Sequence, residues 1–235
     1  MPFVGREKEI GQIKEALEKG KNVILLGKYG MGRTSLMKHI SKMIQDRWRF
    51  VFVDFSKTPG SVCSQLFEEL FPKEGLKHKR LRYKPRRFRI VSLNLEDPRK
   101  HVLVFDNIAK LTAPKSDLIK YFTWERRFQI GAIAESFLSP DELFLLRVRL
   151  NPATLIELRH LSIGSEFEFF QRLSNEHQLG WTEFRIKNLA EITGGYPLRM
   201  QEIAVRELKR KGCLPEVNGD AEDTGMLKKR GVRFL

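Results

Sequence analysis

The sequence predicts an α/β fold, a parallel sheet flanked by helices, followed by a small helical segment. Three observations carry this. Short apolar runs alternate with amphipathic stretches over residues 1–161, as expected of parallel strands joined by crossover helices. One of these runs, "NVILLG", ends in a glycine-rich turn that opens a helix. After Ser162 the strand pattern stops and three amphipathic stretches follow one another.

The elements read in order. "EKEIGQIKEALEKG" has Ile10, Ile13 and Leu17 at helical spacing, and Gly20 stops it. "NVILLG" is a buried strand and "TSLMKHISKMIQDRW" an amphipathic helix. "RFVFVDFS" is the second strand, "SVCSQLFEELF" the next helix and "HVLVFDNI" the third strand. "SDLIKYFTWERR" reads as a helix, then "FQIGAIAES" and "ATLIELRHL" as strands four and five. "SEFEFFQRLSNEHQ", "TEFRIKNLAEI" and "PLRMQEIAVRELKRKG" form the helical segment, residues 162–212. Residues 213–235, with the polar "VNGDAEDTG", read as a linker or tail.

Composition narrows the function classes. The chain has 235 residues, 41% of them hydrophobic and 31% charged, enough to bury a sizeable core. Its apolar runs are too short to span a bilayer, and "MPFVGREKEI" has no apolar core of a secretory signal. Cys63 and Cys213 make neither a disulfide framework nor a metal motif, so a reducing cytoplasm is expected and no membrane partner. Lys and Arg number 43 against 29 Asp and Glu, a net charge of +14. Such a chain attracts polyanions, because neutralising phosphates releases counterions.

The template G-x-x-x-x-G-K-[ST] maps onto residues 27–34. Gly27 and Gly32 match, Gly30 adds a third glycine, Thr34 matches, and Arg33 replaces the lysine. Glycines let the backbone turn tightly and aim N–H groups at phosphate oxygens. The helix that opens at Arg33 adds the positive end of its dipole. Tyr29, Met31 and Ser35 complete the loop, and Thr34 offers a hydroxyl to Mg²⁺. The plain alternative is a structural turn with no ligand. The partner is "HVLVFDNI", where apolar residues 102–105 lead to Asp106, a carboxylate suited to Mg²⁺ at a strand's C-terminal end. Asn107 follows, and an amide can orient a water but cannot take its proton.

With these motifs the chain resembles the AAA+ superfamily of P-loop NTPases, in its STAND and archaeal-type ATPase branch. "PFVGREKEI" is similar to the family's N-terminal signature, which implies that Val4, Gly5 and Arg6 lie by the nucleotide. "LIELRHLSIGSEFEFF" resembles the last core strand running into the lid, and "TGGYPLRM" the lid motif. The resemblance implies that Pro197 packs by the base and Arg199 reaches the phosphates. It also implies ATP or ADP with Mg²⁺, and assembly with other subunits, a homo-oligomer among the options. The departures are Arg33 and Asn107, the positions that carry catalysis in relatives, and a weak sensor position where Ser136 fits best. Arg147 and Arg149 are candidates for an arginine finger. Guanidinium keeps the charge of lysine but not its compact shape, and phosphoryl transfer rests on positioning. The expected protein therefore binds ATP or ADP and hydrolyses it slowly or not at all. The alternatives are a catalytically dead scaffold for protein–protein assembly and an active ATPase with variant motifs.

A basic arm is expected at residues 77–91, "KHKRLRYKPRRFRIV", with eight cations in thirteen residues. Alternation about Pro85 predicts a β-hairpin or extended arm that presents Lys79, Arg80, Arg82, Lys84, Arg86, Arg87 and Arg89 to the backbone of DNA. An acidic protein is the other candidate partner.

Overall fold

The computed structural model describes residues 1–73 and 81–212. Contacts divide the chain into two units. One comprises Glu7–Tyr29 and Leu36–Leu158 and holds the sheet. The other comprises Met1–Arg6, Gly30–Ser35 and the chain from Arg159 onward. The helical unit thus begins at Arg159 and also takes in the N-terminal segment and the second half of the glycine loop.

The sheet unit has five parallel strands in the order β2-β3-β4-β1-β5: β1 Asn22–Gly27, β2 Trp48–Asp54, β3 Lys100–Ile108, β4 Gln129–Glu135 and β5 Ala153–Glu157. All five expected strands are present. β1 is buried throughout, as a strand covered on both faces requires. Helices α1 (Glu7–Glu18), α2 (Arg33–Met43), α3 (Pro59–Leu70), α4 (Tyr83–Ser92), α5 (Ala113–Trp124) and α6 (Pro140–Arg149) precede or join the strands. Thr58 caps α3 by accepting from the Ser61 N–H, and Pro59 fits the first turn, where no N–H is needed. Phe55, Phe105 and Phe122 pack in the core, with centroids 4.6 and 6.3 Å apart. In the helical unit, α7 (Ile163–Glu176), α8 (Glu183–Thr193) and α9 (Pro197–Arg210) enclose Phe169, Phe170, Leu173, Ile186, Ala190 and Met200. No helix of the described residues is long and apolar enough to cross a membrane.

Two expectations are corrected. Residues 83–92 are not an extended arm but helix α4. Pro85 stands in its first turn and does not break it. Arg86 is 9% exposed and its guanidinium donates to Gly60 O at 3.3 Å, Ser64 Oγ at 2.6 Å and Leu81 O at 2.6 Å. Arg87 lies 3.9 Å over the Tyr121 ring and 5.4 Å over that of Tyr83. These two cations hold the fold together rather than face a polyanion. Arg82 and Lys84 are exposed and Arg89 is half-buried. Lys79 and Arg80 lie outside the described residues, as does the expected tail at 213–235. The second correction is α6, where the sequence reading placed no helix. Ser139 and Glu142 close a capping box at its start, and Glu142 also accepts from the Leu111 N–H at 2.8 Å.

Candidate nucleotide site

In the helical unit the glycine loop meets the start of α9. Gly30 and Gly32 hold φ of 78° and 80°, a region that glycine adopts without a Cβ penalty. The Leu198 N–H donates to Gly30 O at 3.1 Å. A Cβ on Gly30 would lie 2.5 Å from the Tyr196 hydroxyl and 2.8 Å from Leu198 Cβ. Gly30 and the Tyr196–Leu198 stretch that opens α9 are therefore fitted to each other by close approach.

Beside this junction lies an apolar cleft lined by Val4, Arg6, Met31, Gly32, Ser35 and Pro197. Pro2, Phe3, Leu161, Phe169, Met200 and Gln201 complete its wall. At about 70 Å³ it is smaller than the roughly 300–1,000 Å³ of sites that enclose a whole ligand. Arg6 is buried at φ 73°, and its guanidinium reaches Met31 O at 3.4 Å. Gly5 packs on Ser165 behind it. Arg33 and Thr34 occupy the first turn of α2, and Arg33 is 8% exposed. Arg199 is exposed and is not part of the cleft wall. Met200 and Gln201 were not singled out from sequence. Their spacing of three and four from Pro197 on one helix face was the available signal.

In the sheet unit the C-terminal ends of neighbouring strands present Asp54 (β2), Asp106 (β3), Glu135 (β4) and Gly27 (β1) in a row. Asp54 and Asp106 are in register, as are Gly27 and Glu135. The β3–β4 pairing shifts between Phe105 and Ile108, which sets Asp106 and Asn107 in an irregular stretch. Such bulges re-aim side chains at functional edges. Asn107 has φ 63°, a conformation that Asn tolerates better than most residues. Its N–H donates to Asp106 Oδ1 at 2.9 Å, and its amide nitrogen lies 3.4 Å from Asp54 Oδ1. Asp54 also accepts from the Ser56 N–H at 3.0 Å and hydroxyl at 2.6 Å. Burial raises its pKa, but these hydrogen bonds outweigh that and hold it below the usual carboxylate range. Sequence reading passed over Asp54 and Glu135, because their place in the row follows from strand order and register. Ser136 follows β4, and its N–H donates to Gly27 O at 3.2 Å. Arg147 is exposed, whereas Arg149 Nε donates to Ser116 Oγ at 2.9 Å. Among the described residues no group of three His, Cys, Asp or Glu is arranged to hold a metal. Mg²⁺ at Thr34 or Asp106 would need phosphate or water oxygens as well, as Mg²⁺ commonly does.

Strand order, glycine loop and helical unit together match solved structures. Aeropyrum pernix Orc1, determined in complex with DNA, aligns with a TM-score of 0.64 at 14% identity over 91% of this chain and 62% of its own. Thermotoga maritima RuvB, a Holliday junction branch migration motor, gives 0.54 at 17% identity over 92% and 66%. This chain has the fold of the AAA+ P-loop ATPases. The ADP form of Aeropyrum pernix Orc2 shares it, with a TM-score of 0.62 at 12% identity over 90% of this chain and 65% of that one. The chain thus spans just under two thirds of the length of these AAA+ structures. No protein-family model matches the sequence, and no curated protein matches it significantly.

Proposed function

We propose that this chain is a nucleotide-binding switch that takes ATP or ADP, hydrolyses it slowly or not at all, and engages DNA within a larger assembly. The observation that carries the reading is the apolar cleft that gathers Val4, Arg6, Met31, Gly32 and Pro197 beside the glycine loop. A base fits that cleft, and the loop's N–H groups with the start of α2 suit phosphates. The resemblance implies that Thr34 and Asp106 would be the residues to hold Mg²⁺, which would neutralise charge on the phosphates. Arg33 pairs with phosphate as a planar fork, Arg199 remains a candidate for reaching the phosphates, and Tyr29, 71% exposed, borders the loop.

Slow hydrolysis is supported by Asn107. Its amide cannot accept a proton from water, and it is tethered to Asp54. An active ATPase is the second reading, favoured by the carboxylates of Asp54 and Glu135 on the same strand ends. The DNA part rests on the charge of +14 and on exposed Arg82 and Lys84. The nucleotide claim is tested by denaturing protein saturated with ATP and Mg²⁺ and weighing what is released. Stoichiometric ATP or ADP is expected, and protein that retains none refutes the claim.

A further inference from the structure

The opposite, N-terminal edge of the sheet holds a cleft of about 590 Å³, within the size range of ligand sites. It belongs wholly to the sheet unit. Its walls come from the end of α1, the starts of β1, β3 and β4, and the end of α5. Several of its polar groups are committed. Asn22 donates to Leu150 O at 2.7 Å and accepts from the Ile130 N–H at 2.8 Å. Gln129 donates to Leu17 O and Lys21 O. The Arg127 guanidinium donates to Val91 O and Leu93 O, and Glu18 pairs with Arg47 at 2.6 Å.

Four wall groups keep polar capacity unused among the described residues, although the His101 ring also hydrogen-bonds the Arg99 backbone. His101 is 6% exposed, and its Nε2 has no hydrogen-bond partner among the described residues. The buried Thr123 Oγ1 has none either. An unsatisfied buried polar atom costs about 1–3 kcal/mol and calls for an explanation. Arg126 is exposed, makes no side-chain hydrogen bond to a described residue, and is held at φ 50°. A non-glycine residue in that region carries strain of about 1–2 kcal/mol, a cost that clusters at functional sites. Among the described residues the Lys100 ammonium meets only the Trp48 ring, 5.0 Å away.

The set consists of two cations, a hydroxyl and the Nε2 side of an imidazole, while the one acid among the lining residues, Glu18, is paired with Arg47. We propose that this cleft is a second ligand site, for a phosphate group, held by Arg126 and Lys100 with His101 and Thr123 as internal polar partners. A phosphate offers several acceptor oxygens to the cations and, when protonated, a donor as well. Burial lowers the His101 pKa below the ordinary histidine range, against the opposing pull of Asp97 and of a hydrogen bond with the Arg99 backbone, which favours a neutral ring with Nε2 left for a partner. The phosphate can come from a phosphorylated small molecule or from a nucleic-acid backbone, and the test separates these.

The experiment follows the side-chain ¹⁵N resonances of His101 in the full chain while inorganic phosphate is added. A saturable shift is expected. Arg126→Gln, a surface change, should weaken it about tenfold or more, the worth of one charge-assisted contact. Arg33→Gln should leave it unchanged, since the glycine loop is a different phosphate site. The reading is overturned if His101 does not respond, or if Arg126→Gln binds phosphate as well as the wild type. Repeating the titration with a short thymidine oligonucleotide identifies the source. Competition assigns the site to a nucleic-acid backbone, and its absence assigns it to a small phosphorylated molecule.

Discussion

Replacing Gly30 by alanine tests whether the glycine loop is built against α9. Two costs add. At φ 78° an alanine carries about 1–2 kcal/mol of left-handed strain. Its Cβ would also lie 2.8 Å from Leu198 Cβ and 2.5 Å from the Tyr196 hydroxyl. Leu198 Cβ is fixed to backbone, and Tyr196 is stacked on His160 at 5.8 Å, so neither yields freely. Overpacking of this kind costs about 1–3 kcal/mol. The sum is about 2–5 kcal/mol, a large part of the roughly 5–15 kcal/mol that stabilises a typical domain. Gly32→Ala is the internal control. Its φ is 80°, but its Cβ would meet nothing closer than Pro197 Cβ at 4.0 Å, so only the strain of about 1–2 kcal/mol applies. Urea denaturation of both variants, with hydrogen exchange on peptides from α9, measures the difference. Gly30→Ala should unfold at clearly lower urea and lose protection in α9. Equal midpoints for the two variants would refute the close approach of loop and helix.

Other outcomes follow from single residues. Arg86→Gln removes hydrogen bonds to Gly60, Ser64 and Leu81 and should cost about 2–3 kcal/mol in denaturant titration. Arg82→Gln should cost less than about 0.5 kcal/mol and, if α4 touches DNA, lower the salt slope by about 1. Asp97 is held well below the carboxylate range, first by hydrogen bonds from the Arg99 side chain. Its folded pKa is depressed, so its stabilisation is present above the unfolded value of about 3.9 and is lost as pH falls below it. The stability advantage of wild type over Asp97→Asn should therefore be steady from neutral pH down to about 5 and vanish in stronger acid. Burial pushes the Cys63 thiol up to about 12, so Cys63 should resist disulfide reagents at pH 8 until the protein unfolds.

The strands were legible because continuous apolar runs bounded by glycine or polar residues have few other uses. The glycine loop was legible because its spacing is local. Helix α4 was misread for a physical reason. Its alternating cations and aromatics satisfy a period of two as well as the pairing of Tyr83 with Arg87 and of Arg86 with Ile90 along a helix. The burial of Arg86 depends on carbonyls of Gly60 and Leu81, which no local pattern reveals. Helix α6 was overlooked although "SPDEL" carries a capping box. Asp54 and Glu135 join the strand-end row only through strand order and register across the sheet, which are long-range facts.

The most direct measurement is phosphate release from ATP by the purified chain with Mg²⁺, alongside the amount of nucleotide it holds. Bound nucleotide with turnover far below about 1 per second, the lower end of ordinary enzymes, is the expected result. Turnover at or above that rate contradicts a slow switch and assigns the work of a base to Asp54 or Glu135. Absence of bound nucleotide contradicts the site itself.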